Sequence, residues 1–227
     1  MLAEIGQAQR QATAESLGGG ATVPAALMVV EGAAARLQEQ LKRFPSPRRL
    51  ACKPACPWCC YSLVSVTAPE AIALASYVQT ALPRKVATAI GGRVARTDDR
   101  TRGLDVAERR ALRLPCPLLV ERRCVAYPVR PLFCRAWHSF SAGACLESWK
   151  RPGSAGVLVI DEWREVAAAI FRGVNQGAHD VGLSGRSLEL SAAVRLVLDD
   201  PTTVGRWLAG EDAFAPAKAP PRSVVLA

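Results

Sequence analysis

All eight cysteines of this 227-residue chain fall in two short, proline-rich stretches, and that placement constrains the fold more than any other feature. The first reads Cys52-Lys-Pro-Ala-Cys56-Pro-Trp-Cys59-Cys60. The second runs from Cys116 through Cys124 and Cys134 to Cys145, with prolines at 115, 117, 128 and 131. Proline removes a backbone donor and fixes φ, so both stretches are expected to be loops and tight turns. Cysteines that act only as small apolar side chains would be scattered over core positions. Two dense groups on turn-rich loops point to a site.

The rest of the chain reads as helices. An apolar stripe at Leu27, Val30, Ala34, Leu37 and Leu41 has helical spacing after Pro24 and stops at Pro45 and Pro47. Thr67-Ala-Pro-Glu70 is a helix start, with threonine as cap and Glu70 placed to close a capping box. Ala71, Leu74, Ala75, Val78 and Leu82 then share a face, and Pro83 opens a further helix. A short helix over Asp105 to Leu114 follows, then two amphipathic ones through Trp163, Val166, Ala167, Ile170 and Val174 and through Leu190, Ala193, Val194, Val197 and Leu198. Asp200-Pro201 starts a last one that ends near Gly210. The expected class is mainly α, with helices packed around two irregular cysteine-rich loops and a small β-hairpin over Leu118 to Tyr127. Gly153 and Gly156 mark a loop between the second cysteine group and the helices that follow.

Three segments follow from this reading. Residues 1–22, which hold Gly18-Gly19-Gly20, form a flexible tail or loose helix; residues 23–212 form one helical cysteine-cluster domain; residues 213–227 are a disordered Pro/Ala-rich tail. Glu4 and Gln7 occupy the place of a secretory apolar run, and Val23 to Val30 is far shorter than the roughly 20 residues of a bilayer span. The expectation is a cytoplasmic protein with no membrane partner. Such a compartment keeps thiols reduced, which disfavours a framework of four disulfides and favours metal ligands or redox-active thiols.

Two or three residues between cysteines let a turn bring two sulfurs to one ion. Soft thiolates select zinc or iron–sulfur chemistry over hard cations. All eight cysteines, Cys52, Cys56, Cys59, Cys60, Cys116, Cys124, Cys134 and Cys145, are therefore candidate ligands, for two zinc sites of four thiolates or for a [4Fe–4S] cluster with further thiols. The adjacent pair Cys59-Cys60 is awkward for one tetrahedral ion, since neighbouring side chains tend to diverge. Lys53, Arg130 and Arg135 lie beside the cysteines in sequence and can balance thiolate charge, or simply face solvent. His138 is a candidate ninth ligand or a structural histidine, and Trp58, Trp137 and Trp149 flank the groups as a water-excluding shield or as plain packing.

The order C-x3-C-x2-C-C, V-x-V-T, C-P-L-L and C-x-A-Y-x-x-R-P-x-x-C-R resembles the YkgJ-type cysteine-cluster proteins. The residues that carry it are Cys52, Cys56, Cys59 and Cys60, then Val64, Val66 and Thr67, then Cys116-Pro117-Leu118, and finally Cys124, Tyr127, Arg130-Pro131 and Cys134-Arg135, with Cys145 as an eighth cysteine. The first gap of three residues departs from the two that many members have. The resemblance implies a zinc- or iron-chelating domain over about Ala51 to Cys145, and it leaves the activity open.

Cys52, Cys56 and Cys59 also fit C-x3-C-x2-C with Trp58 before the third cysteine, as in radical S-adenosylmethionine enzymes. The chain lacks the βα alternation of the barrel that carries such enzymes. A smaller methyl-transferring enzyme with a [4Fe–4S] cluster, similar to flagellin lysine methylases, stays as an alternative. So does a zinc-stabilised module that binds a partner or nucleic acid. The net charge is +9, and residues 84–113 carry nine Lys/Arg against four Asp/Glu. A solvated basic helix face is the favoured reading of that stretch over a nucleic-acid site, because no aromatics interleave the cations. The leading expectation is an iron–sulfur or zinc protein with a redox, sensing or structural role and an unknown protein or small-molecule partner.

Overall fold

The computed structural model describes residues 1–151 and 157–220. Ten α-helices occur among the described residues: α1 (Leu2–Gly18), α2 (Val23–Arg43), α3 (Ala68–Thr80), α4 (Arg84–Thr101), α5 (Val106–Ala111), α6 (Leu132–Ala136), α7 (Ala142–Lys150), α8 (Asp161–Asp180), α9 (Leu190–Asp199) and α10 (Thr202–Leu208). Four two-residue strands complete it: β1 (Ser65–Val66), β2 (Leu119–Val120), β3 (Arg123–Cys124) and β4 (Leu188–Glu189). The mainly α class and the small hairpin are as the sequence predicts. In that hairpin β2 and β3 are antiparallel, with Leu119 opposite Cys124. The second small sheet was not anticipated; β1 pairs with β4 in antiparallel fashion, Val66 opposite Leu188, and ties the start of α3 to the start of α9. Among the described residues no helix is long and apolar enough to cross a membrane.

Helix α3 is the centre of the fold. Thr67 accepts from the Glu70 backbone N–H while Glu70 accepts from that of Thr67, which closes the expected capping box. Its next residues are buried on nearly every side, because α2, α4 and α9 all pack against it. The stripe of α2 is rotated by one position from the expected one. Ala26, Val29, Ala33, Leu37 and Gln40 face the core, while Leu27, Val30, Ala34 and Leu41 are half-buried. The small alanines let α2 lie close to its neighbours.

The first 22 residues are neither tail nor loosely held. Ile5, Gln9, Thr13 and Leu17 are buried, and α1 lies along α8. Contact is close enough that a Cβ on Gly173 would run into the Gly6 carbonyl oxygen, and one on Gly177 into that of Arg10. Arg10 closes the far end with two hydrogen bonds to Asp180, of 2.5 and 2.7 Å. The C-terminal stretch also packs further than expected. Ala213, Phe214, Ala217 and Ala219 are buried, and Lys218 bridges to Leu188. Residues 221–227 of the expected tail and the Gly153–Gly156 loop lie outside the described residues. One apolar core runs from Ile5 to Ala217 and includes Leu37, Ile72, Leu74, Ile170 and Trp207.

Candidate metal centre

The two cysteine groups meet at the start of the second. The Cys116 backbone N–H donates to the Cys60 carbonyl at 2.6 Å. Cys59 and Cys60 lie on a 3-10 turn, Trp58–Tyr61, which is stabilised by the Cys60 N–H on the Pro57 carbonyl at 2.9 Å. Cys56 closes a turn of its own, its N–H on the Lys53 carbonyl at 3.1 Å, with Ala55 in the left-handed region at φ 63°. Cys52 is anchored from the far side of the site. Ser139 donates its N–H to the Cys52 sulfur at 3.3 Å and accepts from the Ala51 N–H at 2.9 Å.

Helices carry more of the site than the prolines suggested. Cys134 sits inside α6 and Cys145 in the first turn of α7, although both were expected on irregular loops. Pro131 is the cap residue of α6, so it starts that helix and does not break it. Ser141 caps α7 by accepting from the Ala144 N–H at 3.1 Å. Helix α7 then packs on the Trp58–Tyr61 turn through Trp149, whose ring lies 5.5 Å from that of Trp58 and 5.4 Å from that of Tyr61. The tip of the β2–β3 hairpin reaches the first group as well, where Arg122 donates to the Ala55 carbonyl at 3.2 Å and lies over the Trp58 ring.

All eight thiols are free, and they share one electrostatic neighbourhood. Charge on Cys59 is felt by Cys52, Cys60, Cys124, Cys134 and Cys145, so this residue stands between an outer set (Cys52, Cys56, Cys145) and an inner set (Cys60, Cys116, Cys124, Cys134). The Cys59 and Cys60 thiols interact with each other, which raises the pKa of Cys60 and lowers that of Cys59. Burial pushes Cys116 up to about 12 and Cys134 well above the usual thiol range. Taking a thiolate out of water disfavours its charge, and that cost falls when a cation binds. Among the described residues no three His, Cys, Asp or Glu side chains stand as a ready-made metal-binding group.

The other sequence candidates divide. Arg130 favours charge on Cys59 and Cys124. Arg135 donates to the Arg130 carbonyl at 2.8 Å and to that of Pro128 at 2.6 Å, and its charge is also coupled to those of Glu70 and Cys134. His138 meets the edge of Trp163 at 5.0 Å between ring centres, and burial lowers its pKa. Trp58 and Trp149 line a cleft that reaches Cys59 and Cys145. The basic stretch is largely committed internally. Arg93 donates to the Leu119 carbonyl, Arg102 to that of Pro216, Arg110 to Ser148 and Arg113 to the Lys150 carbonyl.

Sequence reasoning missed Ser139 and Arg109. Ser139 falls in a stretch with no periodicity, and Arg109 reads like any helix-surface arginine until its burial is seen, at 2% exposure. In comparison with known proteins, the chain matches no protein-family model, no curated protein and no solved structure.

Proposed function

We propose that this chain is a YkgJ-like metal-binding protein that holds an iron–sulfur cluster or zinc on its cysteines, in a redox, sensing or structural role within a reducing, cytoplasmic setting. The observation that carries the reading is the 2.6 Å hydrogen bond from the Cys116 N–H to the Cys60 carbonyl, which joins the two cysteine groups across 56 residues of sequence. Eight free thiols in one neighbourhood have little reason to gather in a reduced protein other than metal binding or redox chemistry. The inner set, Cys60, Cys116, Cys124 and Cys134 with Cys59, would hold the ion or cluster, and the outer set would complete or extend it. Such a group would supply either a one-electron couple or a structural cross-link between α6, α7 and the loop of residues 52–60.

Anaerobic purification followed by iron, zinc and acid-labile sulfide analysis, with an absorption spectrum, tests this. A visible band that bleaches on reduction identifies the cluster. A colourless protein with stoichiometric zinc identifies the structural site. A chain that takes up neither, and whose Cys59→Ser variant matches wild type in every metal assay, overturns the proposal.

A further inference from the structure

No aromatic residue stands among the cations of residues 84–113 in sequence, but the fold brings three beside them. A cleft of about 40 Å³ opens between α5, α7 and the Trp58–Tyr61 turn, walled by Arg110 and by the half-buried rings of Trp58, Tyr61 and Trp149. The rings form a connected set, with Trp149 5.5 Å from Trp58 and 5.4 Å from Tyr61. A buried indole N–H normally finds an acceptor, yet the Trp149 Nε1 is enclosed with none among the described residues.

Three guanidiniums frame these rings. Arg110 lines the cleft, Arg113 lies over Trp149 at 5.9 Å from the ring centre, and Arg122 lies over Trp58 at 5.7 Å. Each donates to a neutral acceptor: Arg110 to the Ser148 hydroxyl, Arg113 to the Lys150 carbonyl and Arg122 to the Ala55 carbonyl. Among the described residues no carboxylate pairs with any of the three. Glu147 on α7 is taken by Lys150, and Glu108 on α5 by the Asp105 N–H. Arg113 and Arg122 also have positive φ, 49° and 63°, where glycine or asparagine fits at lower cost. The chain thus bears backbone strain at two places, and both side chains end over tryptophans of one cleft. Strain of this kind gathers at functional sites.

We infer that this cleft is a binding site for single-stranded nucleic acid, whose phosphates are neutralised by Arg110, Arg113 and Arg122 and whose bases stack on Trp58, Tyr61 or Trp149. A groove of cations with aromatic platforms is the arrangement by which single strands are held without regard to sequence. The cavity itself has room for about three waters, at the 10–15 Å³ that one water requires. That suits a phosphate group, its oxygen accepting from the Trp149 N–H, and leaves the bases to the rings around it. An acidic peptide would match the cations but would leave the ring cluster without a flat partner. The site needs no metal and stands apart from the function proposed above.

The test titrates the full chain, as purified, into a fluorescein-labelled single strand of about eight thymidines, within the usual range of site sizes. Anisotropy gives Kd at several salt concentrations, and an unlabelled strand is added to read quenching of tryptophan fluorescence. Expected are quenching, weaker binding of the same sequence as a duplex, and a slope of log affinity against log salt of about −2, as three phosphate contacts give. Arg113→Gly and Arg122→Gly, which also relieve the positive φ, should each lower the slope by about 0.7 while the thermal midpoint stays near that of wild type. Arg113→Lys should keep the slope. Should a glycine variant melt early, Arg110→Gln, which still offers a donor to Ser148, carries the same slope change. Absence of binding at low salt overturns the inference. So does equal affinity for the duplex or for inorganic polyphosphate, which assigns a general anion surface, and so do unchanged slopes in the variants. A chain that binds the strand but takes up no metal overturns the function proposed above and leaves this inference standing.

Discussion

The carboxylate of Glu70 accepts the backbone N–H of Leu132 at 2.8 Å, so the residue that caps α3 also fixes the first turn of α6 and, with it, Cys134. Its other oxygen takes the Thr67 N–H at 2.8 Å and the Thr67 hydroxyl at 3.1 Å. A single buried side chain thereby couples the best-packed helix to the cysteine centre.

Replacing Glu70 with Gln turns an amide NH2 toward one of these donors and should destabilise the fold by about 1–3 kcal/mol, the cost of an unsatisfied buried polar group. Burial raises the Glu70 pKa despite the three donors. Between the unfolded carboxyl value and the higher folded one, the native state holds more protons than the unfolded chain. The Glu70 contribution is therefore complete below about pH 4.3 and is lost as pH rises through the folded value. Urea midpoints measured against pH should show this decline in wild type and its absence in Glu70→Gln.

On the metal-binding reading, chelation should loosen residues 52–62, where none of the buried hydrophobic core side chains lies, and spare α3 and α4. Limited proteolysis before and after chelation checks this. New cuts are expected first near Lys53, which is exposed on the outer loop, and last near Cys116, which is held by the Cys60 carbonyl. An identical digest in both states contradicts the metal proposal.

Gly173→Ala should separate α1 from α8. The added Cβ would run into the Gly6 carbonyl oxygen, which is backbone and cannot swing aside, and meet the Gln9 Cβ at 2.8 Å. Overpacking of this kind costs about 1–3 kcal/mol. Faster amide exchange over residues 2–18, with a lowered denaturation midpoint, is the expected result.

The hairpin turn offers a change of opposite sign. Glu121 and Arg122 both have positive φ, 47° and 63°, as a two-residue type I′ turn requires, although neither residue favours that region. Glu121→Asn should stabilise the protein by about 0.5–1 kcal/mol, since asparagine tolerates the left-handed region at lower cost. Arg122 is the poorer choice for replacement, because its bond to Ala55 would be lost. A rise in thermal midpoint for Glu121→Asn at unchanged metal content checks the assignment.

Local signals in the chain were readable, and remote partners were not. The Thr67–Glu70 box, the apolar face of α8 and the hairpin at 119–124 follow from spacing of a few residues. The docking of α1 could not be read. Its buried face includes Gln9 and Thr13, and the glycines that admit it lie more than 160 residues downstream. The pairing of β1 with β4 involves two residues on each side, too few for any alternation to show. At the site, the grouping of the cysteines was plain. That α6 and α7 carry two of them was masked by prolines that start helices as readily as they end them. Nothing in the sequence distinguishes Arg109 from an exposed arginine.

The peptide contact between Cys60 and Cys116 has a bearing on metal choice. A chain that registers its two sulfur-bearing segments by a main-chain bond fixes that junction before any ion arrives and leaves only the outer loop for an ion to order, so on the metal-binding reading discrimination among metals falls to the placement of individual sulfurs. Copper and zinc would then compete with iron wherever the supply allows, and the metal recovered from a cell would report availability during synthesis as much as intrinsic preference.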